Sequence, residues 1–428
     1  MTSSKTQISD MFIILFIMLY PILPDYFVVA GYPVYLFVAA IAFFVCLVKG
    51  LSVNKVKYFA KFFVPILIIT LIAYGYHGDY YTVIRVTILT MIIPIFVIFI
   101  YADSSEKIIK IQKLTAVVGI LLCFSSLLER FLGFNVFSLI ETTDLGPMGS
   151  SPYYRTGIRV EQSFSTSITF GLYLLVIATL LIILLKEKLL FVKKKYYAVI
   201  IIVIFLAMYF TESRMPLITL FVLYILFFLK AKFKTKTIII IFLVATLLFD
   251  FVLGGYIWDN INYYIQLILN LFSGDNSSKG FDITSSYRMN LWEILWPYIQ
   301  QKPIFGYGNQ FMNAFTFDVW GHSHYSIDNG YLSNTMGHGL VGLLSVLLPL
   351  FIGIYLAIKM MKRQNKIGYY YLALYIIYLV NIFSVAIMTE RRIYFLILAL
   401  QLSGEYLWKT QQKGDHQIVK NRINGCSN

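Results

Sequence analysis

Three arginines, Arg159, Arg214 and Arg288, and a polar group made of His322, His324, Asp328 and Asn329 hold most of the chemistry available to this chain. A guanidinium offers a planar fork that grips phosphate through two hydrogen bonds and keeps its charge when partly desolvated. A carboxylate or imidazole placed against a hydroxyl can take its proton, which makes Asp328 or His324 the candidate base. Arg155, Glu161 and Glu212 flank the first two arginines and are supporting candidates. The residue types suit a phosphorylated ligand and an attacking hydroxyl. A His-x-His pair needs further ligands to hold a metal, and the sequence singles none out, so neither metal nor other cofactor is expected. Two structural readings compete: Asp328-Asn329 would also cap a following helix, and Glu212 and Arg214 would also neutralise one another.

These residues must be positioned by apolar helices. The 428 residues are 59% hydrophobic and 13% charged, about half the charge of a water-soluble domain, and the mean hydropathy is +0.75. A soluble enzyme, a disulfide scaffold and a disordered tail are excluded, and the three cysteines give no disulfide framework. The expected fold is an all-α polytopic membrane protein, one integral membrane domain over 1–428. Apolar runs predict about twelve transmembrane helices at 11–23, 26–48, 59–77, 81–101, 111–132, 164–185, 196–211, 215–229, 237–253, 333–358, 369–388 and 391–408. With both termini inside, 25 of the 35 basic residues fall on the cytoplasmic side, as the positive-inside rule requires. The basicity is an orientation signal and calls for no nucleic-acid partner.

The two basic residue types separate across that topology. Of the 25 inner basic residues 23 are Lys, whereas eight of the ten outer ones are Arg: Arg85, Arg130, Arg155, Arg159, Arg214, Arg288, Arg391 and Arg392. Orientation needs only charge, so the outer arginines point to a phosphorylated ligand, against the simpler reading of carboxylate pairing and headgroup anchoring.

Two outer segments exceed a simple connector, 133–163 and the large loop 254–332. The loop is expected to carry short amphipathic helices: one lying along the interface over 257–272, and one from Thr284 to Gln300, ended by Pro303 and Gly306-Tyr307-Gly308. On the second, Arg288, Trp292 and Trp296 share a face. The seventh and eighth spans are short, each reaching about 24 Å against a hydrocarbon core of roughly 30 Å. Their Thr211–Pro216 turn is therefore expected to be recessed, with Glu212 and Arg214 lining a dent.

Four segments resemble the bacterial O-antigen polymerases and the related O-antigen ligases. They are Arg159-Val160-Glu161-Gln162-Ser163-Phe164 running to Phe170-Gly171, then Thr211-Glu212-Ser213-Arg214, then Tyr287-Arg288 and Trp292 with Pro303-Ile304-Phe305-Gly306-Tyr307-Gly308, and lastly Asp328-Asn329-Gly330-Tyr331-Leu332 with Gly337, Gly339 and Gly342. In order and spacing they cover about residues 155–360; the first 150 residues match only as apolar spans. The resemblance implies a GT-C-like fold in the bacterial inner membrane, acting without metal at the periplasmic face. It implies that Arg159, Arg214 and Arg288 hold the pyrophosphate of an undecaprenyl-pyrophosphate-linked glycan, with donor and acceptor glycans and membrane lipids as partners. Asp328, at the catalytic centre, stands where ligases carry His, which favours a polymerase; Glu161-Gln162 also departs from the family pattern. Ligase activity and binding of a polysaccharide chain-length regulator stay open. A lipid-linked oligosaccharide transporter or flippase is the rival class, but the chain has no internal repeat and few ionisable residues near span centres. The topology is testable: a tag inserted near residue 276 should be labelled from the periplasm by an impermeant reagent, and labelling only after permeabilising the inner membrane would overturn it.

Overall fold

The computed structural model describes residues 2–140, 159–164, 166–189, 194–229, 283–319, 322–324, 327, 329–365, 367–384 and 391–425. The fold is an all-α membrane protein. The helices are α1 (Thr2–Leu19), α2 (Val34–Val48), α3 (Val53–Gly75), α4 (Tyr80–Tyr101), α5 (Ser105–Leu132), α6 (Ser167–Lys186), α7 (Lys194–Phe210) and α8 (Arg214–Leu229). After them come α9 (Ile283–Gln301), α10 (Asn309–Ala314), α11 (Gly330–Lys362), α12 (Gly368–Asn381) and α13 (Arg391–Gly425). Five of them, α3, α4, α5, α6 and α11, are long and apolar enough to cross a membrane. Each expected span is met by a helix except 237–253, which lies outside the described residues, as does the expected interfacial helix over 257–272.

Burial follows from position in the bundle. Helix α6 is apolar all round, as a helix enclosed by others must be, and it is buried along almost its whole length. Helices α5, α7 and α8 surround it, α11 packs on α3 and α12, and α13 packs on α4. Gly171 lets α6 approach α8 closely, because a Cβ there would come within 2.8 Å of the Pro216 ring.

Three local details depart from the sequence expectations. The second span starts late, because Val28–Val29 (β1) and Tyr32–Pro33 (β2) form a small antiparallel hairpin. Ala30 and Gly31 both have positive φ, 51° and 80°, as the tight hairpin turns that match strand twist require. Residues Val83–Ile92 of α4 are π-helical, a rare geometry, and the Thr90 hydroxyl donates to the Arg85 carbonyl at 2.7 Å within it. Thr284, expected as a helix cap, falls inside α9, which begins one residue earlier.

Arg392 is a structural member of the outer arginine set. Its side chain is 1% exposed and donates to the carbonyls of Tyr20 (3.2 Å) and Leu23 (2.6 Å). It pairs with Asp25 at 3.6 Å and lies 4.4 Å from the Tyr35 ring centre. The chain breaks at Pro21 and Pro24, and the guanidinium from α13 satisfies the carbonyls left over there. For this residue the ligand-binding reading of the arginines is corrected: the fork is occupied in holding the first turn to the last helix. Hydrogen bonds to a charged group contribute about 1.5–3 kcal/mol each, so Arg392→Leu should cost several times thermal energy. A clear fall in melting temperature of the detergent-purified protein is expected.

Candidate functional site

Helices α5, α6, α7 and α8 bring two of the motif segments together at one end of the bundle. Arg159 lies against the α7–α8 turn: its Nε donates to the Thr211 carbonyl at 3.1 Å, and Nη2 donates to the Glu212 carbonyl (3.4 Å) and to Ser213 Oγ (3.2 Å). The Val160 N–H donates to the Phe210 carbonyl at 3.1 Å, which ties the two segments by backbone as well. These contacts of Arg159 go to neutral oxygens and fix the plane of the fork. Arg130, from the end of α5, pairs with Glu212 at 3.4 Å and stands over the Phe210 ring at 5.5 Å. Arg214 opens α8 immediately after this turn.

Both segments are bent into left-handed backbone at residues other than glycine. Gln162 has φ 53° and Glu212 φ 51°, conformations that cost on the order of 1–3 kcal/mol and gather at functional sites. Each is held from several sides. Around Gln162 the Glu129 carboxylate accepts the N–H groups of Glu161 (3.0 Å) and Gln162 (3.1 Å) and the Gln162 side-chain amide. The Gln162 carbonyl accepts from Asn135 Nδ2 at 2.8 Å and from the Tyr26 hydroxyl at 3.3 Å. Glu161, Gln162 and Ser163 are all buried. Glu161, a supporting candidate, is therefore a buried part of this frame.

The other two motif segments meet on α11. That helix breaks at His338 (φ −132°, ψ 16°) and Gly339 (φ 66°, ψ −165°), about 13 Å along from its start at 1.5 Å per residue. A break leaves carbonyls unpaired on one side and N–H groups on the other. The segment after α9 pairs with both. Tyr307 N and Gly308 N donate to the carbonyls of Met336 (2.9 Å) and Gly337 (2.7 Å); Leu340 N and Val341 N donate to those of Pro303 (2.8 Å) and Ile304 (3.2 Å). The approach is so close that a Cβ on Gly306 would lie 2.5 Å from the Met336 oxygen, and one on Gly339 2.1 Å from the Ile304 oxygen. The far side of this strap is clamped by the α3–α4 turn. His77 Nε2 is 2.6 Å from the Phe305 carbonyl, Tyr76 stacks on Phe305 at 4.3 Å, and Asn309 donates to Asp79 and to the Thr82 hydroxyl.

Helix α9, which carries Arg288, packs on the first turns of α11: Leu291, Leu295 and Ile299 share a core with Ile327, Leu332 and Met336. Trp292 and Trp296 are exposed, at 40% and 49%, so α9 turns an aromatic face away from that core. His322–His324 (β4) pairs with Phe317–Val319 (β3), which sets His324 opposite Phe317 in a short hairpin before α11. Asn329 is 2% exposed and its side-chain oxygen accepts the N–H groups of Tyr331 and Leu332; it caps α11. Asp328 and Arg155 lie outside the described residues. Among the described residues no three His, Cys, Asp or Glu side chains gather as a metal site would need.

The structure thus joins 159–164 to 211–213, and 303–308 to 336–341. Sequence reasoning missed Glu129, Asn135 and the His77 clamp, and it singled out Arg130 only as one of the outer set. One signal was available: Glu129-Arg130 is a charged pair at the very end of an apolar run. A methyl group on Gly306 would meet the Met336 carbonyl, so Gly306→Ala should displace the strap. Faster proteolytic cleavage within 302–309 is the expected readout, with Gly404→Ala, where a Cβ meets nothing within 4 Å, as the unaffected control.

No curated protein matches the chain. A family model described as O-antigen ligase matches residues 198–347, a stretch that runs from α7 through the Arg214 turn, α9 and the strap to the broken part of α11. Over that stretch, about a third of the chain, the sequence is similar to the O-antigen ligase family.

Proposed function

We propose that this chain, a membrane enzyme of the O-antigen polymerase/ligase superfamily, polymerises oligosaccharide repeat units carried on undecaprenyl pyrophosphate at the periplasmic face of the bacterial inner membrane. One observation supports this most directly: Arg159 and Arg130 converge on the bent Thr211–Ser213 turn, next to Arg214, from distant parts of the chain. Guanidinium groups at a recessed turn suit a diphosphate whose lipid tail stays in the bilayer.

In the proposed reaction a sugar hydroxyl of the acceptor unit attacks the anomeric carbon of the donor glycan. The new bond is from that oxygen to the anomeric carbon. The bond from the anomeric carbon to the pyrophosphate oxygen breaks, and undecaprenyl pyrophosphate leaves with the electron pair. The hydroxyl proton passes to Asp328 or His324. Charge growing on the leaving oxygen is met by Arg159, Arg214 and Arg288, and donors fixed where charge develops supply much of the acceleration in reactions of this kind. Glu212 positions Arg130, and Glu129 and Glu161 frame the segment that presents Arg159. Asn329 serves by capping the helix behind Asp328.

Because a lysine keeps the charge but loses the fork, Arg159→Lys and Arg214→Lys should each lower chain elongation by about 10²–10³, the cost of one lost transition-state donor. Asp328→Asn should abolish elongation with the protein level unchanged. Surface glycan analysis reads both. In a deletion strain, glycans stopped at a single repeat support the polymerase; long carrier-linked chains never transferred would make the protein a ligase. Normal elongation in both lysine variants would count against phosphate clamping.

A further inference from the structure

A cavity lies at the opposite end of the bundle from the motif segments. It measures about 410 Å³ and is bounded by the start of α5, the ends of α6 and α11, the start of α12 and the middle of α13. Ser105 of the cavity starts α5 and Glu129 lies in its last turn, while Glu187 and Ser167 stand at the two ends of α6, so the two sites are separated by the length of a membrane crossing. This is the lysine-rich end, with Lys107, Lys110, Lys113, Lys186, Lys359 and Lys362.

We infer that this cavity is a binding site for a phosphate-bearing anion, filled by the headgroup of an anionic phospholipid from the leaflet at the lysine-rich end. Three features of the lining carry this. Three cations converge on one lining carboxylate: Glu405 pairs with Arg363, also of the lining, whose fork reaches both oxygens (2.9 and 2.6 Å), and, outside the lining, with Lys359 and with Lys409 at 3.9 Å. Glu405 is 4% exposed. One carboxylate cannot neutralise three cations, so the cluster carries surplus positive charge beside a partly desolvated hollow. Glu187, the other acidic residue of the lining, is on its exposed rim.

Secondly, Gln401 lines the cavity, is 4% exposed, and has an amide nitrogen without a hydrogen-bond partner. Its oxygen accepts from the Tyr375 hydroxyl at 2.7 Å, which fixes the orientation of the amide. A buried donor left unmet costs about 1–3 kcal/mol, and a ligand oxygen would satisfy it. The Tyr371 hydroxyl accepts from Gln112 at 3.1 Å and retains its own proton to donate. Thirdly, the remaining wall is apolar, with Ile108, Ile183 and Leu400, and Trp408 stacks under Arg363 at 3.3 Å. Cationic and amide donors beside an apolar wall suit a phosphodiester attached to acyl chains better than a free ion.

Gly404 makes the site testable. It lines the cavity and a Cβ there meets nothing within 4 Å, so Gly404→Leu fills the hollow rather than colliding with it. The delipidated full-length protein would be titrated with phosphatidylglycerol, with diacylglycerol and with inorganic phosphate, and read by native mass spectrometry. The wild type should form a phosphatidylglycerol adduct and none with diacylglycerol. Gly404→Leu should lose the adduct, and Gln401→Leu should weaken it about tenfold, as loss of one hydrogen bond to a charged group does. Binding of inorganic phosphate that Gly404→Leu abolishes, with no lipid adduct, would keep the anion site but make its source soluble. Adducts equal in wild type and both variants would overturn the site. If neither variant folds, the wild type decides: equal adducts with phosphatidylglycerol and diacylglycerol, and no phosphate binding, overturn it. Because the readout is binding, failure here leaves the glycan-transfer reading untouched.

Discussion

Backbone N–H and C=O groups have no water to bond with inside a bilayer, so each must find a partner in the protein. Helix α11 meets that demand in an unusual way. It stops at His338-Gly339 and starts again, and the two carbonyls and two N–H groups exposed by the break pair with the 303–308 strap. The strap is pinned on its other side by Tyr76 and His77. One set of backbone bonds therefore fixes the large loop, the first half of α11 and the α3–α4 turn against one another. The loop that carries Arg288 and the hairpin of His324 is tied to the membrane bundle by main chain, which holds it more rigidly than side-chain packing alone would.

The glycines of the strap and of α11 are consequences of the same contact. Main chain can lie on main chain only where there is no Cβ between, and Gly306 and Gly339 stand where one would strike a carbonyl. In the sequence these residues are visible as a Pro-x-x-Gly-x-Gly pattern and a glycine-punctuated span. That they belong to one another is not visible, because the contact joins segments about 30 residues apart through backbone atoms, which leave no mark in side-chain type.

Much of the frame was legible for physical reasons. Apolar length and the lysine distribution read out the helices, since the bilayer acts on every residue of a span alike. The shortness of α7 and α8 was legible from the apolar runs, and the helices are 17 and 16 residues. The late start of α2 was hidden, because Val28, Val29 and Tyr32 are as apolar as the helix that follows, and only the two positive-φ residues between the strands distinguish a turn. The arginines illustrate the limit most clearly. Arg159 and Arg392 look equivalent in sequence, both outer and next to apolar runs. One lies on a turn among motif residues, the other is buried under the first loop. Residue type says that a fork is present; only packing says which oxygens it faces.

The two left-handed residues bear on how the arginine turn can work. Gln162 and Glu212 sit in conformations that an L-residue with a side chain avoids, and they lie on the two segments that Arg159 links. Glu129 and Asn135 hold one bend, and Arg159 and Arg130 the other. A strained turn gripped by the same guanidinium groups that would bind phosphate is coupled to its ligand. Preorganised charge stabilises a transition state best when it need not reorganise. The buried Glu129 frame fixes the segment that carries Arg159, through the N–H groups of Glu161 and Gln162.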